Sequence, residues 1–307
     1  MHKTAIHIMA LFGSLALLWS QPARADLIQE VGTGRLNWSQ GSLTVTGSGV
    51  AAKGKNAGQA RLLAQRAAMS DAYRQLAEAV NGVQVMAETT VKDFVTESDT
   101  IRLSVSAVIK GARQNGPTRY LSDGTVEVDV TMPIYGNGSL AQAVQLGQAM
   151  EQQFSKPYSS LDRYLTFRGW NLLPEIHSKP AAPARGLRLA QAKAYTGLII
   201  DASGLAADPA MGPFVVGAGA RLHPNQKIGV DPEKIVQQGP LHYVEDLEEA
   251  REDHERVGEN PLIVRAKAAV GNPVRSNILL DESTAAQVMD INAQAHFLEA
   301  LKVTLVL

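Results

Sequence analysis

The stretch Gly49-Val-Ala-Ala-Lys-Gly54-Lys55-Asn56 comes within one residue of a phosphate-cradling loop, in which glycines let backbone N–H groups close around a phosphate that a lysine neutralises. That chemistry also needs a Ser or Thr hydroxyl to hold magnesium, and Asn56 stands in its place. The strand before it reads as half-exposed and antiparallel rather than buried and parallel. We read the stretch as a Gly/Lys turn between a strand and a helix, which excludes nucleotide hydrolysis. Among His177, His223, His242, His254 and His296, no two are four residues apart and there is no His-Glu-x-x-His string. His254 has Glu252, Asp253 and Glu255 around it, which fits a weak metal site and equally the solvated face of an acidic helix. No metal or other cofactor is expected.

Ser48 lies between Gly47 and Gly49 without the Gly-x-Ser-x-Gly pattern or a neighbouring base. Glu127 and Asp129 sit two apart on one strand face; with Asp201 they are the carboxylates a hydrolase would use, although the wet face of a sheet looks the same. Lys53, Lys55, Arg61 and Arg66 form a basic cluster where a helix begins, which is an interaction patch for anionic lipid headgroups or an acidic partner, or else scattered surface charge. Catalytic, cofactor-binding and metal residues are therefore all read as none.

Composition narrows the classes further. Lys+Arg number 29 against 30 Asp+Glu over 307 residues, a formal charge of −1, which argues against gripping nucleic acid by bulk charge. With no cysteine, the sequence has no disulfide, thiolate metal site, cysteine nucleophile or acylated cysteine. Lys3, the apolar run from Ala5 to Trp19 and the Ala23-Arg24-Ala25 ending have the form of a cleaved export signal over residues 1–25. Its removal leaves 27 basic and 30 acidic residues in a chain expected in the periplasm.

The elements that carry these residues read as follows. Leu43 and Val45 mark a strand punctuated by Gly41 and Gly47, and Gln59 to Val80 is the clearest helix, with Leu62, Met69, Tyr73, Leu76 and Val80 on one face. Val83, Val85 and Ala87 alternate as a strand, as do Leu103, Val105, Ala107 and Ile109. Tyr120 to Val130 is a hairpin turning at Asp123-Gly124. Ser139 to Phe154 is a helix packed on this first domain.

Beyond a Pro-rich linker, strands are expected at Tyr195–Leu205, Ile263–Val270, Asn277–Leu280 and Leu301–Leu307, with an irregular hairpin around Pro209, Pro213 and Pro224. Helices are expected at Glu245–Arg256 and, capped by Ser283, at Ser283–Asn292. The fold class is α+β in two domains, 26–155 and 193–307, joined by 156–192, each with helices on a mostly antiparallel sheet.

The blocks Gly34-Arg-Leu-Asn-Trp38, Gly47-Ser-Gly49, Ala60 to Ala68, Asp71 to Ala77 and Gly82-Val-Gln-Val85 form an ordered series. Thr90-Val91, Ile109-Lys-Gly-Ala112, Asp123-Gly124 and Val126-Glu-Val128 continue it. From Gly34 to Pro133 this series resembles the domain shared by small bacterial outer-membrane lipoproteins and the N-terminal part of flagellar assembly protein T. The resemblance implies an envelope protein with no catalytic residues to carry over and, from its flagellar member, assembly of a ring around the basal body at the outer membrane. The lipoprotein members hold a lipidated cysteine that this chain lacks. Tyr195 to Leu205 with Pro209-Ala-Met211 resembles a block found beside this domain in uncharacterised exported proteins.

The expected function is non-enzymatic binding in the periplasm or at the outer membrane. Envelope or flagellar basal-body proteins, or a second copy of the chain, are the expected partners, and nucleic acid is not one. The alternatives are a hydrolase or ligand-binding protein with Asp201, Glu127 and Asp129 at an interdomain cleft, or a module contacting lipid or peptidoglycan through the basic cluster.

Overall fold

A computed structural model describes residues 26–50, 56–154, 195–217 and 220–307. The export signal, Lys53, Lys55, His177 and the segment 156–192 lie outside these residues.

The first half opens with strands β1 (Ile28–Val31), β2 (Gly34–Asn37) and β3 (Ser42–Val50), then helix α1 (Ala57–Asn81). A small hairpin, β4 (Gln84–Met86) and β5 (Thr89–Thr90), precedes α2 (Val91–Glu97) and α3 (Asp99–Gly111). Strands β6 (Arg113–Gln114), β7 (Arg119–Tyr120) and β8 (Thr125–Pro133) complete an antiparallel sheet ordered β1-β2-β3-β8-β6, with β7 also paired to β8. The β7–β8 hairpin turns at Gly124, whose φ of +88° is the backbone an Asp-Gly turn requires. Along β8 the valines 126, 128 and 130 are buried, while Glu127 and Asp129 alternate with them on the other face.

Helix α1 lies across β3 and β8; of the expected face Leu76 and Val80 are buried and Met69 and Tyr73 pack on the core, and only Leu62 departs from it. Ala64, Ala68, Ala72 and Leu76, spaced by four, form the contact, whereas Leu62 is 60% exposed. Gly47 and Gly49 face that alanine stripe from inside β3, with Val128 and Val126 as their cross-strand neighbours. A Cβ on Gly47 would stand 2.2 Å from the Ala68 carbonyl oxygen, and one on Gly49 would stand 2.3 Å from that of Ala64. Gly47 is thus no punctuation mark. Glycine on the strand and alanine on the helix bring the two backbones together more closely than larger side chains permit.

The expected strand at Leu103–Ile109 is instead the middle of α3. Ser98 caps that helix, accepting from Ile101 N at 3.3 Å, and Ile101, Val105 and Val108 recur at helical spacing toward the core. The every-second-residue pattern was accidental, because Leu103 is 69% exposed.

The expected helix at Ser139–Phe154 breaks at Gln145, φ +54°, into α4 (Leu140–Ala143) and α5 (Leu146–Phe154). Rather than packing on the first domain, α5 leans on the second, where a Cβ on Gly147 would stand 2.2 Å from the Pro232 carbonyl oxygen.

The second half contains β9 (Gly197–Asp201), β10 (Val215–Gly217), β11 (Ala220–His223), α6 (Pro232–Gln238), β12 (His242–Val244), α7 (Leu247–Glu252) and α8 (His254–Val257). It continues with β13 (Pro261–Arg265), β14 (Ala268–Val270), β15 (Asn277–Leu279), α9 (Glu282–Ala295) and β16 (Val303–Val306). The expected single helix at 245–256 divides at Asp253, and the expected strand at 263–270 divides between two sheets. Asp281, not Ser283, caps α9, accepting from Thr284 N at 3.0 Å.

The α+β, two-domain architecture stands, with an antiparallel sheet in the first domain. In the second, the sheet β12-β16-β9-β13 is wholly parallel rather than antiparallel, and β11-β10-β15-β14 is mixed. Both β9 and β16 are mainly apolar and buried on both faces, with Thr304 inside β16 and Asp201 closing β9, as strands of a parallel sheet covered on both sides are. Leu198 and Ile200 point into the main core, and Ile199 points toward α7 and α8.

Candidate functional site

The most site-like group of ionisable side chains lies where the two domains meet, and the sequence did not assemble it. His242 at the start of β12 places Nδ1 2.8 Å from Asp253 Oδ2 and Nε2 2.9 Å from the backbone carbonyl oxygen of Ser39. Serine, histidine and aspartate in one line suggest a nucleophile relay, but the oxygen facing Nε2 is a carbonyl. The Ser39 hydroxyl instead accepts from Leu27 N at 3.1 Å. Since neither oxygen facing His242 carries a proton, both ring nitrogens must donate, and the imidazolium is the form that fits.

Burial opposes that charge, yet the Asp253 carboxylate and the Ser39 carbonyl outweigh it and hold the His242 pKa above its ordinary value. Asp253 is pulled below the usual carboxylate range in spite of its own burial, through the same hydrogen bond.

The surrounding groups are equally committed. Tyr243 OH donates to the Ala210 carbonyl at 2.9 Å and accepts from Ala210 N at 3.0 Å, and its ring meets Trp38 edge-on at 5.5 Å. Tyr135 OH donates to the Met211 carbonyl, and Arg256 donates to the carbonyls of Gln238 and Gly239. Backbone bonds from Met211 N to Gln84 O, Gly212 N to Val85 O and Val274 N to Ala87 O join the halves directly. One continuous apolar core crosses the boundary. A small cavity of about 40 Å³ remains at the seam, lined by Met86, Glu88 and Thr89 from one half and Phe214, Arg221 and Asn277 from the other.

Two histidines of the second domain give opposite pH signatures. His223 is fully buried, Nε2 donating to the Pro240 carbonyl, and burial pushes its pKa down to about 4. The folded state therefore excludes a proton that the unfolded chain accepts below about 6.5. Stability should fall by about 3 kcal/mol as pH drops from 6.5 toward 4. Its ring resonances, followed by NMR, should not titrate above about pH 4.

His242 works on the other side. Its raised pKa stabilises the fold fully below 6.5, and that contribution disappears as pH rises through the folded value. The unfolding midpoint should decline above pH 6.5, and His242→Gln should flatten that limb. An unchanged slope in the variant refutes a charged His242 bridging Asp253 and Ser39.

The structure does not gather the three sequence-nominated carboxylates. Asp129 and Glu127 hold Arg119 on the outer face of the first sheet, and Asp129 also accepts from Thr46 at 2.6 Å. Asp201 lies in the second domain's parallel sheet, bound to Arg265 and Ser203. The burial of Asp201 is outweighed by its hydrogen bonds, and Asp129 is held low chiefly by Arg119, so both lie below the usual carboxylate range. His254 is exposed, with Nδ1 3.3 Å from the Gly258 carbonyl oxygen.

Of the basic cluster, Arg61 and Arg66 are described and both are exposed on α1. The Arg61 guanidinium lies 5.5 Å from the centroid of the Tyr120 ring. Around this pair are the exposed side chains of Val50, Leu62, Leu63, Tyr120 and Leu121, at 67, 60, 41, 53 and 44%. Among the described residues eight large apolar side chains are exposed, and these five share one end of the first domain. Tyr120 pairs with Val126 on the sheet face that α1 covers, and Gln65 of α1 donates to Thr118 of the same hairpin, whereas Val50 pairs with Thr125 on the opposite face.

A groove of about 530 Å³ runs between α1 and α3, floored by Tyr73, Ala77, Val95, Val105 and Ile109. Its Arg74 and Arg102 are held by Asp71, Glu78 and Asp99. No such groove was foreseeable while α3 read as a strand.

Residues 37–132 match the family of the LPP20 lipoprotein. The N-terminal domain is LPP20-like. That agrees with the outer-membrane lipoprotein resemblance seen in the sequence and links the domain to a cell-envelope family. Residues 197–307 match the second domain of Treponema pallidum Tp0624. No curated protein matches the chain. The exposed apolar–arginine end lies wholly within the LPP20-like domain. At the seam, Trp38 and Ser39 of that domain meet Tyr243 and His242 of the Tp0624-like one. No helix among the described residues is long and apolar enough to cross a membrane.

Proposed function

We propose that this protein is a non-enzymatic component of the bacterial cell envelope that works in the periplasm by binding. It docks through the exposed end of its LPP20-like domain and needs no cofactor. The observation that carries this is the exposure of Leu62, Leu63, Tyr120 and Leu121 at the end of the domain where Arg61 and Arg66 stand. Soluble monomers seldom expose such a group unless it meets something. The seam supports it too, since His242 bridges Asp253 to the Ser39 carbonyl of the other domain and Tyr243 lays its ring against Trp38, so the polar groups there are spent on structure.

LPP20 is by name a lipoprotein, whereas none of the 307 residues here is a cysteine. Envelope proteins, including those of a flagellar basal-body ring, and a second copy of the chain are the partners to test first. A photo-crosslinking residue at Leu62, activated in living cells, should yield adducts with envelope components, and one at buried Leu76 should not. Absence of any adduct at Leu62, with motility and envelope integrity intact in a deletion strain, defeats the proposal.

A further inference from the structure

We propose that the exposed end of the LPP20-like domain inserts into an anionic lipid leaflet. Leu62, Leu63 and Leu121 would enter the boundary between headgroups and acyl chains while Arg61 and Arg66 bind lipid phosphates. The inference rests on the binding reading above and names its partner.

Charge is the first support. Between Glu30 and Asp71 the chain has no acidic residue, and the first turn of α1 has none either. Arg61 and Arg66 therefore act on this surface without nearby carboxylates from their own helix. On the adjoining hairpin Glu127 and Asp129 hold Arg119, while Asp123, which accepts from Thr125 N at 2.9 Å, keeps its negative charge in the turn.

Placement is the second. The apolar side chains come from the start of a helix, the end of a strand and the β7–β8 hairpin, and none of them lines the groove between α1 and α3. Element ends carrying leucines beside arginines suit a shallow entry into a bilayer, where the apolar part is buried and the cations remain among phosphates. Tyr120 under the Arg61 guanidinium fits the same depth, its ring apolar and its hydroxyl wet.

The purified full chain should co-sediment with phosphatidylcholine vesicles containing about a quarter phosphatidylglycerol and only weakly with pure phosphatidylcholine, and added salt should weaken the binding. Removing each arginine charge (Arg61→Gln, Arg66→Gln) should weaken partitioning about fivefold. Leu62→Ser with Leu63→Ser should weaken it about tenfold or more. Because these residues are exposed, the unfolding midpoints should stay unchanged, which separates lost contact from lost fold. Tyr120→Trp should show an emission blue shift with anionic vesicles only.

Equal binding to neutral vesicles, or binding indifferent to the tip substitutions, overturns the inference. If vesicles fail while Leu62 still crosslinks to an envelope protein, lipid is the wrong partner and the binding reading survives. If both fail, both fall.

Discussion

Gly47→Ala should destabilise the protein by about 3 kcal/mol, a large loss for the addition of one methyl group. The new Cβ would stand 2.2 Å from Ala68 O, 2.4 Å from Ala72 N and 2.6 Å from Ala72 Cβ, and two of these three are backbone atoms. No rotamer change relieves such a contact, so α1 must lift from β3 and loosen the alanine stripe beneath it. Gly49→Ala meets Ala64 O at 2.3 Å and should behave alike, but the two losses should not add because both displace the same helix.

Gly58→Ala is the control. It lies in the first turn of α1 with only Asn56 Oδ1 near, at 3.7 Å, and should be neutral or stabilising by about 0.5–1 kcal/mol through helix propensity. Urea midpoints at constant slope measure all three. A mild Gly47→Ala, comparable to Gly58→Ala, contradicts the close approach.

The second large effect belongs to Tyr243. Truncation to alanine removes a fully buried ring, its edge-on contact with Trp38, and both hydrogen bonds to Ala210. A loss of about 4 kcal/mol is expected. Tyr243→Phe keeps the ring but leaves the N–H and C=O of Ala210 without their partner in the interior, and should cost about 2 kcal/mol. Since the ring touches the first domain from the second, Tyr243→Ala should also separate the unfolding of the two halves. Trp38 fluorescence would then part from far-UV circular dichroism in a denaturant titration. Coincident curves in the alanine variant would mean that the halves are coupled elsewhere.

These substitutions also show where sequence patterns carry structural information. The β7–β8 hairpin was legible because Asp123-Gly124 and the alternating valines act within a dozen residues, through turn stereochemistry and the pleat. Helix α1 was legible in extent, ending beside Asn81-Gly82, and largely in facing, since Met69, Tyr73, Leu76 and Val80 all pack on the core. Leu62 satisfies the same helical period, yet it is 60% exposed. In α3, residues 103, 105, 107 and 109 satisfied a period of two while Ile101, Val105 and Val108 satisfied one near 3.6, and only packing chose between them. The runs of β9 and β16 announced burial without announcing direction, since parallel and antiparallel pairing demand similar apolar content from a covered strand.

The amino-acid order alone settled an α+β chain in two parts, with no cysteine for covalent lipid attachment and an ordered set of envelope-family blocks. The glycine-on-alanine contact, the charged His242 bridge between Asp253 and Ser39, and the stacking of Arg61 of α1 on Tyr120 of the hairpin came from the folded chain. His242 and Ser39 are 203 positions apart, and no local preference of the backbone encodes a contact at that range. Local patterns record what a residue requires of its immediate neighbours; which distant surface meets that requirement is decided when the whole core closes.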